Sequence, residues 1–215
     1  MTHNLAGILR LVLVTDDALI GGRDLVALCQ AAESGGVTAV QLRLKNANVR
    51  ELASTARALL ASLAVPLFIN DRLDVALIVG AAGVHLGPDD IPVAMARRIV
   101  PNGFLLGASV GSAVEAGQGA RADYWGVGPL RGTTTKSDAG PALGVDGFAA
   151  ICRLAPPGMP CVAIGGVLPE DVRAVRAVGG AGVAVVRGIL ASEDVEAAAS
   201  AYASPLPRLV QFRRQ

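Results

Sequence analysis

Eight short apolar runs alternate with amphipathic, helix-like stretches along the 215-residue chain, and this repeat restricts the possible folds most strongly. The runs lie at residues 8–15, 37–42, 66–69, 83–86, 104–109, 124–127, 161–164 and 182–186. Strands that are apolar throughout and separated by helices indicate a parallel sheet covered on both faces. Eight such units predict a single-domain (β/α)8 TIM barrel spanning residues 1–215. An open doubly wound sheet is the alternative, but no Gly-x-Gly-x-x-Gly follows the first run.

Composition narrows the classes of function. Lys plus Arg number 19 and Asp plus Glu number 18, and the resulting net charge of +1 gives no electrostatic basis for binding nucleic acid or an anionic membrane. The longest uncharged stretch, residues 154–169, is interrupted by prolines, so no transmembrane helix is expected. Cys29, Cys152 and Cys161 are odd in number and far apart, which predicts free thiols and a cytoplasmic protein.

Polar residues at the strand ends are the candidates for function, because the carboxyl ends of barrel strands carry the chemistry in this fold. In the second run Gln41, Arg43 and Lys45 alternate with apolar residues, so their side chains are predicted to face the barrel interior and its mouth. Leu42 and Leu44 are then predicted to face the helices. A solvated strand end could also carry such cations, but three polar residues on one inward face favour an anionic or polar ligand.

The third and fourth runs end in carboxylates. Asn70 and Asp71 follow the third run, and Asp89 and Asp90 follow the fourth. Each is a possible helix N-cap. Alternatively, carboxylates from neighbouring strand ends would share Mg²⁺, which completes its coordination with water and substrate phosphate. His85 lies within the apolar run and is interpreted as a core or supporting histidine rather than a catalytic base.

The later strand ends predict an anion site. The fifth run ends at Ser109, and a long Gly- and Thr-rich loop at residues 128–140 follows the sixth run. This loop is either a phosphate-binding element or a flexible surface loop. The seventh and eighth runs are followed by glycine-containing turns, where backbone N–H groups bind phosphate in many barrels. The candidates in these three segments are Thr133, Thr134, Thr135, Lys136, Gly165, Gly166, Val186 and Arg187.

Eight segments in order and spacing resemble the thiamine phosphate synthase family over nearly the whole chain. They are residues 13–16, 41–45, 70–72, 83–87 with Asp90, 107–110, 123–129, 133–136 and 163–167. The resemblance implies a transferase that joins an aminopyrimidine methyl pyrophosphate to a thiazole ethyl phosphate and releases pyrophosphate. It implies a dissociative mechanism, in which pyrophosphate leaves before the thiazole nitrogen attacks the methylene cation.

The resemblance also implies a role for each candidate. Asp71 and Asp90 would bind Mg²⁺. The pyrimidine pyrophosphate would be held by Gln41, Arg43, Lys45, Asn70, Ser109 and Lys136, of which Arg43, Lys45, Ser109 and Lys136 would also act in catalysis. The thiazole phosphate would be held by Thr133, Thr135, Gly165, Gly166, Val186 and Arg187. Leu42, Leu44 and Thr134, which lie within the same segments, are further expected substrate-binding residues.

This chain departs from the usual family pattern at several positions near the mouth. Leu44 replaces a Glu, Gly111 replaces a His, Arg131 with Gly132 replaces a Phe-containing pair, Thr134 replaces a Pro, and Arg187 replaces a Ser. Two alternatives remain: a thiazole tautomerase of the same fold, and a non-catalytic regulator that binds a phosphate ligand. The expected partners are small-molecule substrates, and homo-oligomerisation is left open.

Overall fold

A computed structural model describes residues 5–133 and 140–205, in which eight parallel strands form a closed barrel in sequence order. The strands are β1 (Leu11–Val14), β2 (Ala39–Leu42), β3 (Leu67–Asn70), β4 (Gly83–Leu86), β5 (Leu105–Val110), β6 (Tyr124–Val127), β7 (Cys161–Ile164) and β8 (Gly182–Val185). Strand β8 pairs with β1, with Val185 opposite Leu13, and this pairing closes the sheet. The predicted single-domain TIM barrel is confirmed.

Helices precede, connect and follow the strands. They are α1 (Leu5–Ile8), α2 (Asp17–Ile20), α3 (Leu25–Ser34), α4 (Val49–Ser62), α5 (Leu73–Val79), α6 (Val93–Ala96), α7 (Ala113–Gln118), α8 (Gly144–Cys152), α9 (Asp171–Ala177), α10 (Arg187–Leu190) and α11 (Val195–Ala203). Asn48 and Glu51 have the sequence spacing of a capping box, and the box forms at the start of α4. Ser112 and Glu115 have the same spacing, but only half of that box forms, because the Glu115 carboxylate accepts the Gly111 N–H instead.

Two apolar layers stabilise the barrel, because alternate residues of each strand face opposite sides. The outer layer packs strand residues such as Val40 and Leu42 with helix residues such as Leu59. The inner layer contains Leu9, Val12, Val14, Ala39, Phe68, Tyr124, Val162 and Ala184. Val14 and Ala184 of this layer also line a cavity at the carboxyl ends of the strands, where polar side chains such as Gln41 and Asn70 lie.

The first apolar run differs from its prediction as a strand over residues 8–15. Its first residue, Ile8, ends helix α1, and β1 begins at Leu11. The Leu9 N–H continues the helical pattern by donating to the Leu5 carbonyl at 3.0 Å. A short apolar run cannot distinguish a buried helical turn from a strand by periodicity. Leu9 belongs to the inner layer, and Ile8 packs against that layer.

The three cysteines carry free thiols, as the sequence predicts. Burial raises the pKa of the Cys29 thiol to about 12, which keeps it protonated. Within residues 5–133 and 140–205, no helix combines the length and the apolar character needed to cross a membrane.

Candidate active site

A cavity of about 680 Å³ opens at the carboxyl ends of the strands. Every strand contributes to its wall, and the strand residues there are Val14, Gln41, Asn70, His85, Ser109, Val110, Gly126, Ile164, Ala184 and Val185. Most of the predicted site residues also line it: Gln41, Arg43, Lys45, Asn70, Asp71, Asp90, Ser109, Thr133, Gly165, Gly166, Val186 and Arg187. The predicted residues Thr134, Thr135 and Lys136 lie outside the described part of the chain.

Leu42 and Leu44 are the two described candidates that do not line this cavity. Leu42 is fully buried in the outer layer, and Leu44 packs against the same layer. Their orientation toward the helices follows from the alternation of the strand, as predicted. The segment of residues 41–45 therefore supplies three side chains to the cavity and two to the core.

Arg43 is held at the end of β2 by residues that follow β1. Its Nη1 lies 2.7 Å from the Asp16 Oδ2, and both side chains are mostly buried. Thr15 Oγ1 accepts the Arg43 N–H at 2.8 Å and donates to the Arg43 carbonyl at 3.1 Å. A charge-assisted hydrogen bond of this kind fixes both position and orientation. No role was predicted for Asp16, although this residue ends an apolar run in the same way as the candidates on the other strands.

Gln41 and Asn70 form one amide unit across the β2–β3 pair. Gln41 Nε2 donates to the Asn70 Oδ1 at 2.8 Å. This bond leaves the Gln41 Oε1 as an acceptor and the Asn70 Nδ2 as a donor for a ligand in the cavity. Such a pair matches a planar heterocycle that carries an amino group beside a ring nitrogen.

Asp71 and Asp90 do not act as helix caps. Arg72 precedes α5 and Pro92 precedes α6, and neither helix start has a side-chain capping bond. Asp71 has a φ of 63°, and its N–H donates to the His85 carbonyl at 2.9 Å. A non-glycine residue in the left-handed region is uncommon and often marks a functional site. Asp90 Oδ2 accepts the Gly87 N–H at 2.6 Å.

Asp90 lies close enough to Asp71 to affect the protonation of Asp71. Burial raises the pKa of Asp71 to about 6, with a further increase from the charge and hydrogen bond of Asp90. Lys45 and Arg43 oppose this increase in the pKa of Asp71. Facing carboxylates repel one another unless a proton or a cation lies between them. The pair therefore fits a divalent cation.

The donor set favours magnesium. Across residues 5–133 and 140–205, no group of three or more His, Cys, Asp or Glu side chains could hold a metal ion. Mg²⁺ is commonly bound through one or two carboxylates, with water and substrate phosphate completing its octahedral coordination. Asp71 and Asp90 would provide such carboxylates and leave the other positions open to a substrate.

The glycine turn after β7 lies on the opposite side of the cavity mouth. Gly165 and Gly166 have φ values of 88° and 64°. A Cβ on Gly165 would lie 2.7 Å from the Cα of Pro129, and a Cβ on Gly166 would lie 2.7 Å from the Gly132 carbonyl oxygen. Both positions therefore require glycine for conformation and for space. Close packing against the loop after β6 thus fixes this turn, and both glycines line the cavity.

Arg131 ties the loop after β6 to the start of α9. Its Nε and Nη2 donate to the two Asp171 oxygens at 2.8 and 2.7 Å, and its N–H donates to the Gly165 carbonyl at 2.9 Å. Asp171 Oδ2 also accepts the Leu168 N–H at 2.9 Å. The unusual Arg131 thus has a bidentate partner in this chain. The loop segment that leads to Thr133 is positioned by this pair.

Gly111, another departure, lies where β5 leaves the barrel. A Cβ at this position would lie 2.7 Å from the Gly128 carbonyl oxygen, so a larger residue would require the backbone to shift. Glu115 accepts the Gly111 N–H at 2.6 Å and also lines the cavity. The loops after β5 and β6 therefore lie in close contact at Gly111, in the space that a side chain would need.

The chain matches the family described as thiamine monophosphate synthase over residues 11–189. It is 47% identical over 195 residues to a thiamine-phosphate synthase of Chloroflexus aurantiacus, covering 88% of this chain and 89% of the relative. It is 47% identical over 197 residues to a thiamine-phosphate synthase of Azorhizobium caulinodans, covering 89% and 92%.

Solved structures agree with these sequence relatives. A thiamine phosphate pyrophosphorylase from Pyrococcus furiosus superposes with a TM-score of 0.83 and 35% identity, covering 94% of this chain and 97% of that one. A 3-hexulose-6-phosphate synthase at 16% identity and a TM-score of 0.68 shares the fold alone. The synthase relatives indicate a transferase of thiamine biosynthesis. The chain belongs to the thiamine monophosphate synthase family.

Proposed function

We propose that this cavity joins an aminopyrimidine methyl pyrophosphate to a thiazole ethyl phosphate with the help of Mg²⁺, forming thiamine phosphate and pyrophosphate. One observation carries the proposal: a carboxylate pair with neighbouring cations and a glycine-rich turn line a single cavity of about 680 Å³. Such a cavity lies within the usual size range of small-molecule sites and has room for two ligands of this kind in contact.

The pyrophosphate would lie near the ends of β2, β3 and β4. Lys45 and Arg43 already act electrostatically on Asp71, so their positive charge reaches the same region. A Mg²⁺ ion held by Asp71 and Asp90 would supply Lewis-acid stabilisation of the leaving pyrophosphate. Lys136, predicted from the sequence, would add a further positive charge.

The pyrimidine would lie against the amide unit of Gln41 and Asn70. The Gln41 Oε1 would accept from the exocyclic amino group, while the Asn70 Nδ2 would donate to a ring nitrogen. These two bonds favour one orientation of the ring over its flipped form. They would keep the reacting methylene carbon directed toward the second substrate.

The thiazole phosphate would lie near the Gly165–Gly166 turn. Both glycines line the cavity, as do Val186, Arg187 and Thr133. Arg187 would donate to phosphate oxygens in the bidentate geometry that guanidinium groups favour. This arrangement separates the two phosphate groups within one cavity.

The dissociative order of events needs no nucleophilic side chain. Loss of pyrophosphate is assisted by positive charge around the leaving group, and the second substrate must be close enough to capture the cation before water does. A tautomerase or a regulator would have no use for the carboxylate pair and Lys45.

We also propose a cytoplasmic location, on the basis of the three free thiols.

The two-subsite arrangement is tested by Asp90→Ala. We expect turnover at saturating substrates to fall at least about 100-fold, because an electrostatic contribution to charge neutralisation is lost. Calorimetric affinity for the thiazole phosphate alone should change less than about threefold. The exposed Asp146, changed to Asn, serves as the control for removing a carboxylate and should leave both quantities unchanged. An equal loss of thiazole phosphate affinity in Asp90→Ala would contradict the separation.

A further inference from the structure

A buried hydrogen-bonded chain connects the barrel interior to the cavity through His85. The His85 Nδ1 lies 3.1 Å from the Tyr124 hydroxyl, and its Nε2 lies 3.0 Å from the Ser109 Oγ. These three side chains come from β4, β6 and β5. Ser109 and His85 line the cavity, whereas Tyr124 belongs to the inner apolar layer. The hydrogen-bonded chain therefore connects the inner apolar layer to the wall of the cavity.

Two glycines provide the space in which this chain forms. A Cβ on Gly107 would lie 2.3 Å from the Tyr124 Cζ and 2.6 Å from the His85 Nδ1. A Cβ on Gly126 would lie 3.0 Å from the His85 Cε1. Any other residue at position 107 would occupy the space where the phenol and the imidazole meet. The ring of Tyr124 is further held by an edge contact with Phe68, with ring centroids 5.7 Å apart.

The buried end of the chain determines where its protons lie. Burial raises the pKa of the Tyr124 hydroxyl, so the phenol keeps its proton. Within the described residues, the hydrogen-bond partner recorded for this hydroxyl is His85 Nδ1. A buried O–H without an acceptor is costly, so the phenol donates to Nδ1. A neutral imidazole that accepts at Nδ1 carries its proton at Nε2 and donates to the Ser109 Oγ.

We propose that His85 is a positioning residue for Ser109. Tyr124 sets the tautomer of His85, and His85 in turn directs the Ser109 hydroxyl proton into the cavity. With its oxygen accepting from Nε2–H, Ser109 is free to donate. It therefore selects a hydrogen-bond acceptor on the ligand. This inference rests on the proposed function for the identity of that ligand. In the pyrimidine pyrophosphate, Ser109 would meet a ring nitrogen or a phosphate oxygen, and not the exocyclic amino group.

Nitrogen NMR tests the proton positions without any need for activity. The sequence contains two histidines, His3 and His85, so ¹⁵N-histidine labelling of the whole protein gives two sets of ring signals. His3→Gln assigns them. Protonated and unprotonated imidazole nitrogens have well-separated shifts, and the measurement is made at alkaline pH, where an ordinary histidine is neutral. We expect His85 with a proton on Nε2 and none on Nδ1. The opposite tautomer, or a doubly protonated ring, overturns the proposal.

A double-mutant cycle tests the effect on the reaction. Tyr124→Phe should lower kcat/KM about tenfold in the wild-type background, because the orientation of one hydrogen bond is lost. In a Ser109→Ala background the same change should cost no more than about twofold, since the group that it orients is gone. Equal effects in both backgrounds overturn the proposal, because they would show that Tyr124 acts on the fold alone.

Tyr202→Phe is the matched control for losing a buried phenol. Its hydroxyl donates to the Val167 carbonyl at 3.0 Å and has no part in the His85 chain. Its effect on kcat/KM should be the same in both backgrounds. If the wild-type protein formed no thiamine phosphate, the proposed function would fail, whereas the NMR result would still decide the proton positions.

Discussion

At the residue scale, the site depends on side chains whose partners lie far away in sequence. Polar residues after apolar runs were sufficient to predict Asp71, Asp90 and Arg43, because strand ends meet at one face of a barrel. Their partners were harder to find. Asp16 and Arg43 are 27 residues apart, and His85 and Tyr124 are 39 apart. Such pairings depend on the register in which neighbouring strands pair, and this register cannot be read from a single sequence.

The tight contact at Gly107 leads to a prediction about stability. Gly107→Ala should destabilise the fold by about 1–3 kcal/mol, because its Cβ overlaps Tyr124 and His85 in a packed interior. Urea unfolding followed by circular dichroism measures this. The control is Gly117→Ala in α7, where a Cβ would meet nothing within 4 Å. That change should be stabilising by about 0.5–1 kcal/mol, through helix propensity. A Gly107→Ala protein at least as stable as the wild type would contradict the overlap at Gly107.

At the element scale, the sequence predicts strands better than the details of loops. The bounds of β4, β6 and β7 agree with their apolar runs, because a fully buried strand is apolar throughout. The start of α9 shows the limit for loops. Pro169, Glu170 and Asp171 have the sequence of a first helical turn, and α9 begins at the last of them, Asp171, whose carboxylate binds Arg131 and the Leu168 N–H. Tertiary contacts decide the role of that side chain.

The Arg131–Asp171 pair predicts a pH-dependent contribution to stability. Arg131 holds the pKa of Asp171 below its ordinary value. A carboxyl group whose pKa is lower in the folded state stabilises the fold above its ordinary pKa, and this stabilisation is lost as the pH falls through the lowered value. Asp171→Asn should therefore reduce the free energy of unfolding at neutral pH. The difference from the wild type should shrink in acid, as measured by urea unfolding across this range.

Asp74→Asn provides the comparison for this ion pair. Asp74 pairs with Arg72 at the surface, where the two side chains are 56% and 41% exposed. Exposed pairs contribute little, so its effect at neutral pH should be clearly smaller than that of Asp171→Asn. A difference between Asp171→Asn and the wild type that stayed constant down to strongly acidic pH would show that the charge of Asp171 is not what stabilises the fold.

At the scale of the whole molecule, the repeat of eight runs determines the barrel, and the barrel determines the cavity. Closure places the ends of β2, β3 and β4 beside one another and brings the turns after β7 and β8 to the same mouth. The eight-fold pattern was visible in the sequence. The helical turn that closes the amino-terminal side was not, because its residues are as apolar as the strand that follows.

This closure predicts a large effect for a residue far from the cavity. Leu9 is fully buried against the inner layer, so Leu9→Ala should reduce the free energy of unfolding by about 2–5 kcal/mol. Leu154→Ala is the control, since that side chain is 51% exposed and should have a much smaller effect. Equal effects of the two changes in urea unfolding would indicate that Leu9 does not close the barrel.

The central claim is that one cavity carries out a magnesium-assisted transfer between two phosphorylated substrates. The most direct measurement is thiamine phosphate and pyrophosphate formed by the purified protein from both substrates, with Mg²⁺ and with excess EDTA. We expect the two products in equal amounts with Mg²⁺, and neither with EDTA. Undiminished product formation in EDTA would contradict the role of Asp71 and Asp90. No product with Mg²⁺ from a folded protein that still binds the thiazole phosphate would contradict the transfer itself.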